Sequence, residues 1–303
     1  MESIYICLTI DVDPDNFDSN IFGPQQDLTW WGLEKGVVDM IEKMSVFTDC
    51  FHQHLKYTWF VRCDSELKEV YGMHTYLFEH YADFWMQRKK SKDEIAWHPH
   101  EEDISKFEES IVAIKKLSYP FKSVRIGNAF HSNKIMKLLA QNGFKIDSTA
   151  LPGRIRRDDI RNLDWGTTPD EVYYPSKSDY RVPGKCFHKI LEVPMTMIDT
   201  QVSYDKTVVK RYLNLSFHHE VIRKSLDKII RQKNLLIINL HPSELIPQKK
   251  KHPLISFDVN EVVINMKYIL ELVKYYYKEV KFITMADVLP LEHRGVVVPA
   301  KYS

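Results

Sequence analysis

Short apolar runs alternate with longer amphipathic segments along most of this chain, and this alternation constrains its fold more than any other feature. Runs of strand length, rich in β-branched and aromatic residues, occur at Ile4–Ile10, Tyr57–Cys63, Glu94–His98, Ser123–Ile126, Phe144–Asp147, Ile190–Met197, Leu235–Leu240 and Val280–Thr284. Strands that alternate with helices predict an α/β protein with a parallel sheet and helices outside it. The number of such units favours a closed (β/α) barrel, with an open doubly wound sheet as the alternative.

A helical period of about 3.6 residues fills the intervals between these strands. It predicts helices at Leu33–Cys50, Ser65–Arg88, Ile104–Leu117, Ser132–Gln141, Thr207–Lys233 and Val259–Lys278. The segment Leu151–Lys189 breaks the pattern, because it contains four prolines and little periodicity. Loops of this length often have a function. We therefore predict one domain over residues 1–303, with a long insertion at about 151–189 before the late strands.

The composition excludes several classes of protein. Hydrophobic residues make up 44% of the 303 residues and charged residues 27%, as in an ordinary globular protein. The net charge of +1 does not indicate a nucleic-acid partner. No apolar stretch reaches the roughly 18 residues that suggest a membrane span. The start of the chain lacks a basic region, and Asp11 interrupts its first apolar run. These features predict no signal peptide and a cytoplasmic location.

Titratable and polar side chains follow four of the predicted strands. In a barrel of parallel strands, active sites form at the carboxyl ends of the strands. One such residue has an ordinary structural explanation, such as a helix-capping Asp or a buried His, but their coincidence at one end of a sheet favours a functional site. The residues are Asp11 and Asp13, then His98 and His100, then Arg125, Asn128 and His131, and finally His241.

The types of these residues indicate a metal site with acid–base chemistry. Asp11 and Asp13 would face the same side of a strand, where two like charges repel unless a cation or a proton lies between them. Carboxylate and imidazole ligands suit zinc, and also iron, cobalt or nickel. The predicted ligands are Asp13, His98 and His100. Asp11 could then act as general base and His241 as general acid, with Arg125 paired to a carboxylate.

These residues, in this order, resemble the motifs of the polysaccharide deacetylase family, also called the NodB-homology or carbohydrate esterase four family. The resemblance covers most of the chain. Segments similar to family motifs are Leu8–Asp13, Glu94–His98, Arg125–Asn128 with the helix after it, and Leu240–Pro242. Thr58–Val61 and Leu191–Pro194 are similar to family strands.

The resemblance implies a distorted (β/α)7-type barrel and a hydrolase that removes acyl groups, usually N-acetyl, from sugars. It makes Asp11 the base that activates water, Asp13 a metal ligand, Arg125 the partner that orients Asp11, and His241 the acid that protonates the leaving amine. With no predicted signal peptide, the expected substrate is an acylated sugar, a sugar nucleotide or a lipid-linked glycan. The expected cofactor is a divalent metal, zinc before the others, and the expected substrate contacts are Asn128, His131 and Trp97.

One position departs from the usual family pattern, in which the second histidine ligand stands four residues after the first. That position is Glu102 here. Either His100 completes the site, or Glu102 does, or no metal binds, as in an allantoinase-like branch that hydrolyses C–N bonds without the usual metal site. Two rival functions follow: a metal-free C–N hydrolase acting on a non-sugar amide or cyclic ureide, and an inactive barrel that binds glycan.

Overall fold

The structure is a computed structural model that describes residues 2–15, 28–51, 54–157, 162–249 and 251–301. The chain forms two compact units. The first comprises Met1–Tyr57 and Ile198–Ile283, and the second comprises Thr58–Met197 and Thr284–Ser303. The single domain expected over residues 1–303 stays a prediction.

Strands and helices alternate through most of the described chain. The strands are β1 (Ser3–Val12), β2 (Tyr57–Val61), β3 (Glu94–Trp97), β4 (Ser123–Val124), β5 (Ile146–Asp147), β6 (Ile155–Arg157), β7 (Asn162–Asp164), β8 (Leu191–Glu192), β9 (Met197–Thr200), β10 (Val209–Tyr212), β11 (Leu235–Leu240) and β12 (Glu279–Phe282). The helices are α1 (Val37–Phe51), α2 (Ser65–Tyr71), α3 (Tyr76–His80), α4 (Ala82–Lys90), α5 (Ile104–Ile114), α6 (Asn133–Gln141), α7 (His219–Ile230), α8 (Val259–Tyr276) and α9 (Val288–His293). Single π or 3-10 turns occur at Gly32–Gly36, Gly127–Ala129, Pro242–Leu245 and Met285–Asp287.

The first unit is built around β1, which pairs in parallel with β11 and with β12. Both β1 and β11 are buried almost throughout, which explains why they read as continuous apolar runs. Their register sets Thr9 opposite Asn239 and Ile10 opposite Leu240. Asp11, the next residue of β1, and His241, the residue after β11, therefore lie at the same level.

The second unit contains the parallel strands β2, β3, β4, β5 and β8, in that order. The register sets Val61 opposite Trp97, Trp97 opposite Val124, and Val124 opposite Asp147. Parallel pairing in this register aligns the carboxyl ends of these strands. The segments that carry His98 and Arg125 begin at that edge.

The insertion Leu151–Lys189 packs on the second unit. Its described part begins with the antiparallel hairpin of β6 and β7. Farther along, Tyr173 exchanges backbone hydrogen bonds of 3.0 and 2.8 Å with Glu192 of β8. Trp165 and Tyr173 are both buried. These contacts make the insertion part of the unit rather than a linker.

Two predicted helices are wrong. The stretch Ser65–Arg88 forms three helices, because Gly72 takes a left-handed conformation with φ of 79° and ends α2. The helix predicted from Thr207 begins only at His219, since Val209–Tyr212 forms β10 and pairs with β9. The pairing of this β-branched start with β9 overrides its apparent helical period.

The predicted fold class is confirmed: an α/β protein of the (β/α)7 type with parallel strands and a long insertion before the late strands. Among the residues that the structure describes, no helix combines the length and the apolar character needed to cross a bilayer.

Candidate active site

Three of the predicted site residues come together in the first unit, where β1 and β11 end. His241 Nε2 lies 3.8 Å from Asp11 Oδ2 and 3.9 Å from Asp13 Oδ2. All three side chains are at least nine-tenths buried, with exposed fractions of 10%, 7% and 3% in the same order. These distances are longer than hydrogen bonds but short for interactions between charges. The imidazole therefore faces two carboxylates across a narrow gap.

The charges around His241 determine its protonation. Burial disfavours the protonated ring, but the charge and hydrogen bond of Glu244 and the charges of Asp11 and Asp13 outweigh it and raise the pKa of His241 to about 9. The ring is consequently protonated at neutral pH. A protonated imidazole is the form that a general acid needs.

A short hydrogen-bond chain holds Asp11. The Asn239 amide donates to Asp11 Oδ2 at 3.0 Å, and the Thr9 hydroxyl donates to Asn239 Oδ1 at 2.7 Å. The β1–β11 register makes this chain possible, since Thr9 and Asn239 are directly paired. Neither residue was singled out from the sequence. The signal was present, because each is a polar residue within an otherwise apolar buried strand.

Glu244 is a further residue without an assigned role in the sequence analysis. It belongs to the 3-10 turn Pro242–Leu245 that follows His241, and its side chain is buried. Its Oε1 accepts from His241 Nδ1 at 3.1 Å, and its Oε2 accepts from the His241 backbone N–H at 2.9 Å. One carboxylate thus holds both the ring and the backbone of His241.

The second unit brings His98 and His100 together. Their Nε2 atoms are 3.1 Å apart. His98 Nδ1 lies 2.7 Å from the Arg125 carbonyl oxygen, which can only accept, so this nitrogen carries the proton. In the neutral form of the ring, Nε2 is then the nitrogen with the lone pair, and it faces His100. A backbone carbonyl that fixes the tautomer in this way is a common support for a metal-binding histidine.

Gly127 provides room for the His100 ring. A Cβ added at Gly127 would lie 2.0 Å from His100 Cδ2, which is a severe overlap. Glu102, the alternative ligand, is exposed on the surface. The structure therefore brings His100 to His98, and it leaves Glu102 facing solvent.

The donor atoms in the second unit fit a metal. Two imidazole nitrogens directed at each other at short range, one of them with its lone pair defined, form part of the ligand set that zinc and related transition metals accept. A metal bound by His98 and His100 would use both Nε2 atoms.

Arg125 and Asn128 lie at the end of β4 in the second unit. Arg125 donates from Nε to the Ser148 carbonyl at 3.0 Å and from Nη2 to the Ser148 hydroxyl at 3.1 Å. Its guanidinium lies 4.2 Å from the centre of the Phe60 ring. Asn128 is exposed and left-handed, with φ of 57°. Contacts on several sides thus fix the Arg125 head group, while Asn128 faces solvent.

Two predicted substrate contacts, His131 and Trp97, lie in the interior of the second unit. His131 Nε2 is 2.6 Å from Asp147 Oδ2, and both side chains are fully buried. Trp97 is also fully buried, and its indole N–H donates to the Cys63 carbonyl at 2.9 Å. Both side chains are engaged in the protein interior.

Comparisons with known proteins identify the fold. No protein-family model and no curated protein sequence matches the chain. Among solved structures, an allantoinase described as Puue allantoinase matches with a TM-score of 0.56 and 13% identity over 96% of this chain and 90% of that chain. A candidate polysaccharide deacetylase involved in O-antigen biosynthesis, from Bordetella bronchiseptica, matches with a TM-score of 0.38 and 11% identity over 89% and 83%. A 4-alpha-glucanotransferase from Thermococcus litoralis matches with a TM-score of 0.48 and 12% identity over 96% and 40%.

The likeness to the allantoinase is one of fold. The recognition made from the motifs is confirmed at the level of the fold: this chain shares the α/β fold of that allantoinase. At this sequence identity the comparison extends to the fold and not to the reaction.

Proposed function

We propose that this protein is a metal-dependent hydrolase of C–N bonds that removes an N-acyl group, in the first instance N-acetyl, from a sugar. The observation that carries the proposal is the placement of His241 Nε2 at 3.8 Å from Asp11 and 3.9 Å from Asp13. A protonated imidazole beside a fixed carboxylate supplies the two proton-transfer groups that amide hydrolysis requires. The motif order in the sequence supports the same reaction.

In the proposed reaction Asp11 acts as general base and His241 as general acid. Asp11 takes one proton from water as the water oxygen bonds to the acyl carbon. His241 Nε2 gives its proton to the amide nitrogen as the C–N bond breaks, so that a carboxylic acid and a free amine leave. The proton on Asp11 then passes through solvent to His241 Nε2, which restores the carboxylate and the protonated imidazole. Asn239 keeps Asp11 Oδ2 oriented through its hydrogen bond of 3.0 Å.

Asp13, His98 and His100 are proposed as the metal ligands. When bound, a divalent metal, zinc before the others, would polarise the acyl oxygen and lower the pKa of water. The Nε2 atoms of His98 and His100, which lie 3.1 Å apart, support this assignment within the second unit. The role of Arg125 in orienting Asp11 and the substrate contact of Asn128 are proposals from the sequence resemblance.

The activity is tested by incubating the protein with a panel of N-acetylated sugar nucleotides and lipid-linked sugars and measuring released acetate. Asp11→Asn is the matched control, because it keeps the size of the side chain and removes the base. We expect acetate from at least one substrate with the native protein and none above background with the variant. Equal acetate release by the two proteins would contradict the assignment of the base.

The metal proposal is tested by elemental analysis of the purified protein and of zinc-reconstituted protein. We expect about one metal per chain, lost from His98→Ala and from His100→Ala. Glu102→Ala is the control, because that carboxylate is exposed and should not affect metal content. Undiminished metal in both histidine variants would remove His98 and His100 from the ligand set.

The fold match to an allantoinase gives reason to include a second substrate class. A cyclic ureide, with allantoin as the probe, would need the same water activation and the same proton for the departing nitrogen. Turnover of allantoin that persists in chelator, with no acetate from any sugar, would replace the proposed function by a metal-free C–N hydrolase. Glycan binding without turnover of either class would instead favour an inactive binding protein. The cytoplasmic location is also a proposal, and cell fractionation tests it.

A further inference from the structure

Glu244 has no role in the reaction proposed above, although it is the group most extensively bonded to His241. Its two oxygens accept from the ring and from the backbone N–H of His241 at 3.1 and 2.9 Å. Because Glu244 lies on the 3-10 turn that begins at Pro242, its side chain returns to the residue where the turn starts. The same carboxylate therefore sets both the position of the backbone and the rotation of the imidazole.

A second layer of hydrogen bonds holds Glu244 itself. Asn214 Nδ2 donates to Oε1 at 2.9 Å and to Oε2 at 3.0 Å, and the Ser216 hydroxyl lies 2.6 Å from Oε2. Asn214 and Ser216 are fully buried, and Glu244 is 4% exposed. These two fixed side chains therefore hold the buried carboxylate in one orientation.

The segment that supplies these donors is fixed in turn by α8. The Asn265 amide donates to the carbonyls of Leu215 and Phe217 at 2.8 and 2.7 Å. Asn265 is fully buried. A buried carboxylate supported by two layers of directed hydrogen bonds is an expensive arrangement that packing alone does not require.

We infer that Glu244 is the positioning residue for His241: it holds Nδ1–H so that Nε2 carries the transferable proton and points at Asp11. The inference rests on the proposed function, in which His241 is the acid. The arrangement is that of the buried carboxylate in a Ser-His-Asp triad, which fixes the tautomer and orientation of an imidazole without touching the substrate. Here the neighbouring turn supplies the carboxylate.

The test combines steady-state kinetics with ¹⁵N NMR of the histidine rings, assigned by comparison with His241→Gln. In Glu244→Ala and Glu244→Gln we expect kcat to fall by about 10²–10⁴-fold with KM changed less than about threefold. We also expect the His241 Nδ1 signal to lose its hydrogen-bonded shift in both variants. Glu244→Asp keeps the charge on a shorter side chain, so it should restore part of kcat.

Ser243→Ala is the matched control, because Ser243 lies on the same turn and its buried hydroxyl has no hydrogen-bond partner among the described residues. We expect native kcat and a native His241 spectrum from this variant. If Glu244→Ala does not fold, Ser216→Ala removes a single donor to Glu244 and should lower kcat by about tenfold or less.

Native kcat in a folded Glu244→Gln protein, or an unchanged His241 signal in it, would overturn the inference. The NMR measurement needs no substrate. Hence, if the native protein hydrolyses nothing on the panel, the proposed function fails while the His241 spectrum still decides whether Glu244 positions the ring.

Discussion

Each unit contains a buried group of carboxylate and imidazole side chains, and the two groups are built differently. In the second unit, His131 and Asp147 are 2.6 Å apart, and His131 Nδ1 lies 3.1 Å from the Ser132 carbonyl. Both ring nitrogens are thus in hydrogen bonds and both side chains are fully buried. In the first unit, His241 Nε2 stands 3.8 and 3.9 Å from its two aspartates, and its side chain is 10% exposed.

The contrast separates a pair that stabilises the fold from a group that can move a proton. The closed pair of His131 and Asp147 leaves no place for a reacting atom between its members. In the open group of Asp11, Asp13 and His241, Asn239 holds Asp11 through Oδ2 and Glu244 holds His241 through Nδ1, and these hydrogen bonds keep the two side chains apart. Identical residue types thus serve different purposes according to where their second hydrogen bonds go.

The largest expected difference is in activity. Asp11→Asn should lower kcat by about 10²–10⁴-fold, because it removes the proposed base from the open group. Asp147→Asn should leave the kcat of the folded protein within about threefold of native, since the closed pair takes no part in proton transfer. Acetate release at saturating substrate measures both. A comparable loss from Asp147→Asn would end the distinction between the two groups.

The free energy of unfolding should show the reverse order, with the larger loss from a change in the closed pair of His131 and Asp147. His131→Ala leaves the buried Asp147 carboxylate without its imidazole partner, so we expect unfolding to become easier by about 3–5 kcal/mol. Asp11→Asn removes one of two carboxylates that repel each other and should change stability by less than about 1 kcal/mol in either direction. Urea unfolding followed by circular dichroism compares the variants. The distinction is wrong if Asp11→Asn is the more destabilising change.

The pH dependence of stability sharpens the description of the open group. The folded pKa of His241, about 9, lies above its ordinary value of 6.5, so the protonated ring stabilises the folded state. In metal-free protein this contribution is fully present below pH 6.5 and disappears as the pH rises through 9. We expect the stability difference between native protein and His241→Gln to shrink by roughly 2–3 kcal/mol over that window. A difference independent of pH would contradict the described environment of His241.

The smallest effect is expected from Thr9→Val. This change removes the hydroxyl that donates to Asn239 Oδ1, so the Asn239 amide is held less firmly toward Asp11. We expect kcat to fall by less than about tenfold and stability by about 1 kcal/mol. Ser3→Ala is the control, because the Ser3 hydroxyl on the same strand donates an exposed hydrogen bond to Glu279. We expect this variant to change neither kcat nor stability. A loss as large as that of Asp11→Asn would mean that Thr9 has a direct part in the reaction.

Much of the fold could be predicted from the sequence, because the parallel strands are buried on both faces and read as continuous apolar runs. The grouping of Asp11 and Asp13 with His241 followed from the rule that parallel strands end at one edge, and the pairing of His98 with His100 followed from their spacing of two residues. Periodicity failed at Thr207–Lys233, where the pairing of β10 with β9 decides the local structure. It also failed at Ser65–Arg88, where the left-handed Gly72 ends a helix inside an unbroken amphipathic pattern.

The roles of single polar residues were harder to predict, because they depend on partners far away in the sequence. His131 and His241 look alike as histidines near strand ends, and only the distances to Asp147 and Asp11 separate them. Trp97 was expected to contact the substrate, and its ring centroid lies 5.1 and 5.4 Å from those of Phe107 and Phe144 in the interior. Glu244 and Asn239 are present in the sequence as ordinary polar residues. Their positions beside His241 and Asp11 depend on hydrogen bonds that no local sequence pattern predicts.

The pairing of β1 with β11 has a consequence for how this protein is made. Thr9 and Asn239 are separated by 230 positions, and the hydrogen-bond chain that orients Asp11 depends on that long-range pairing. A growing chain on the ribosome carries both aspartates long before Asn239, and it cannot bring His241 to them until β11 and the turn after it have been synthesised. Contacts of such high sequence separation form late and slowly. The emerging polypeptide is therefore expected to lack the assembled group of Asp11, Asp13 and His241 until β11 and the turn after it are in place.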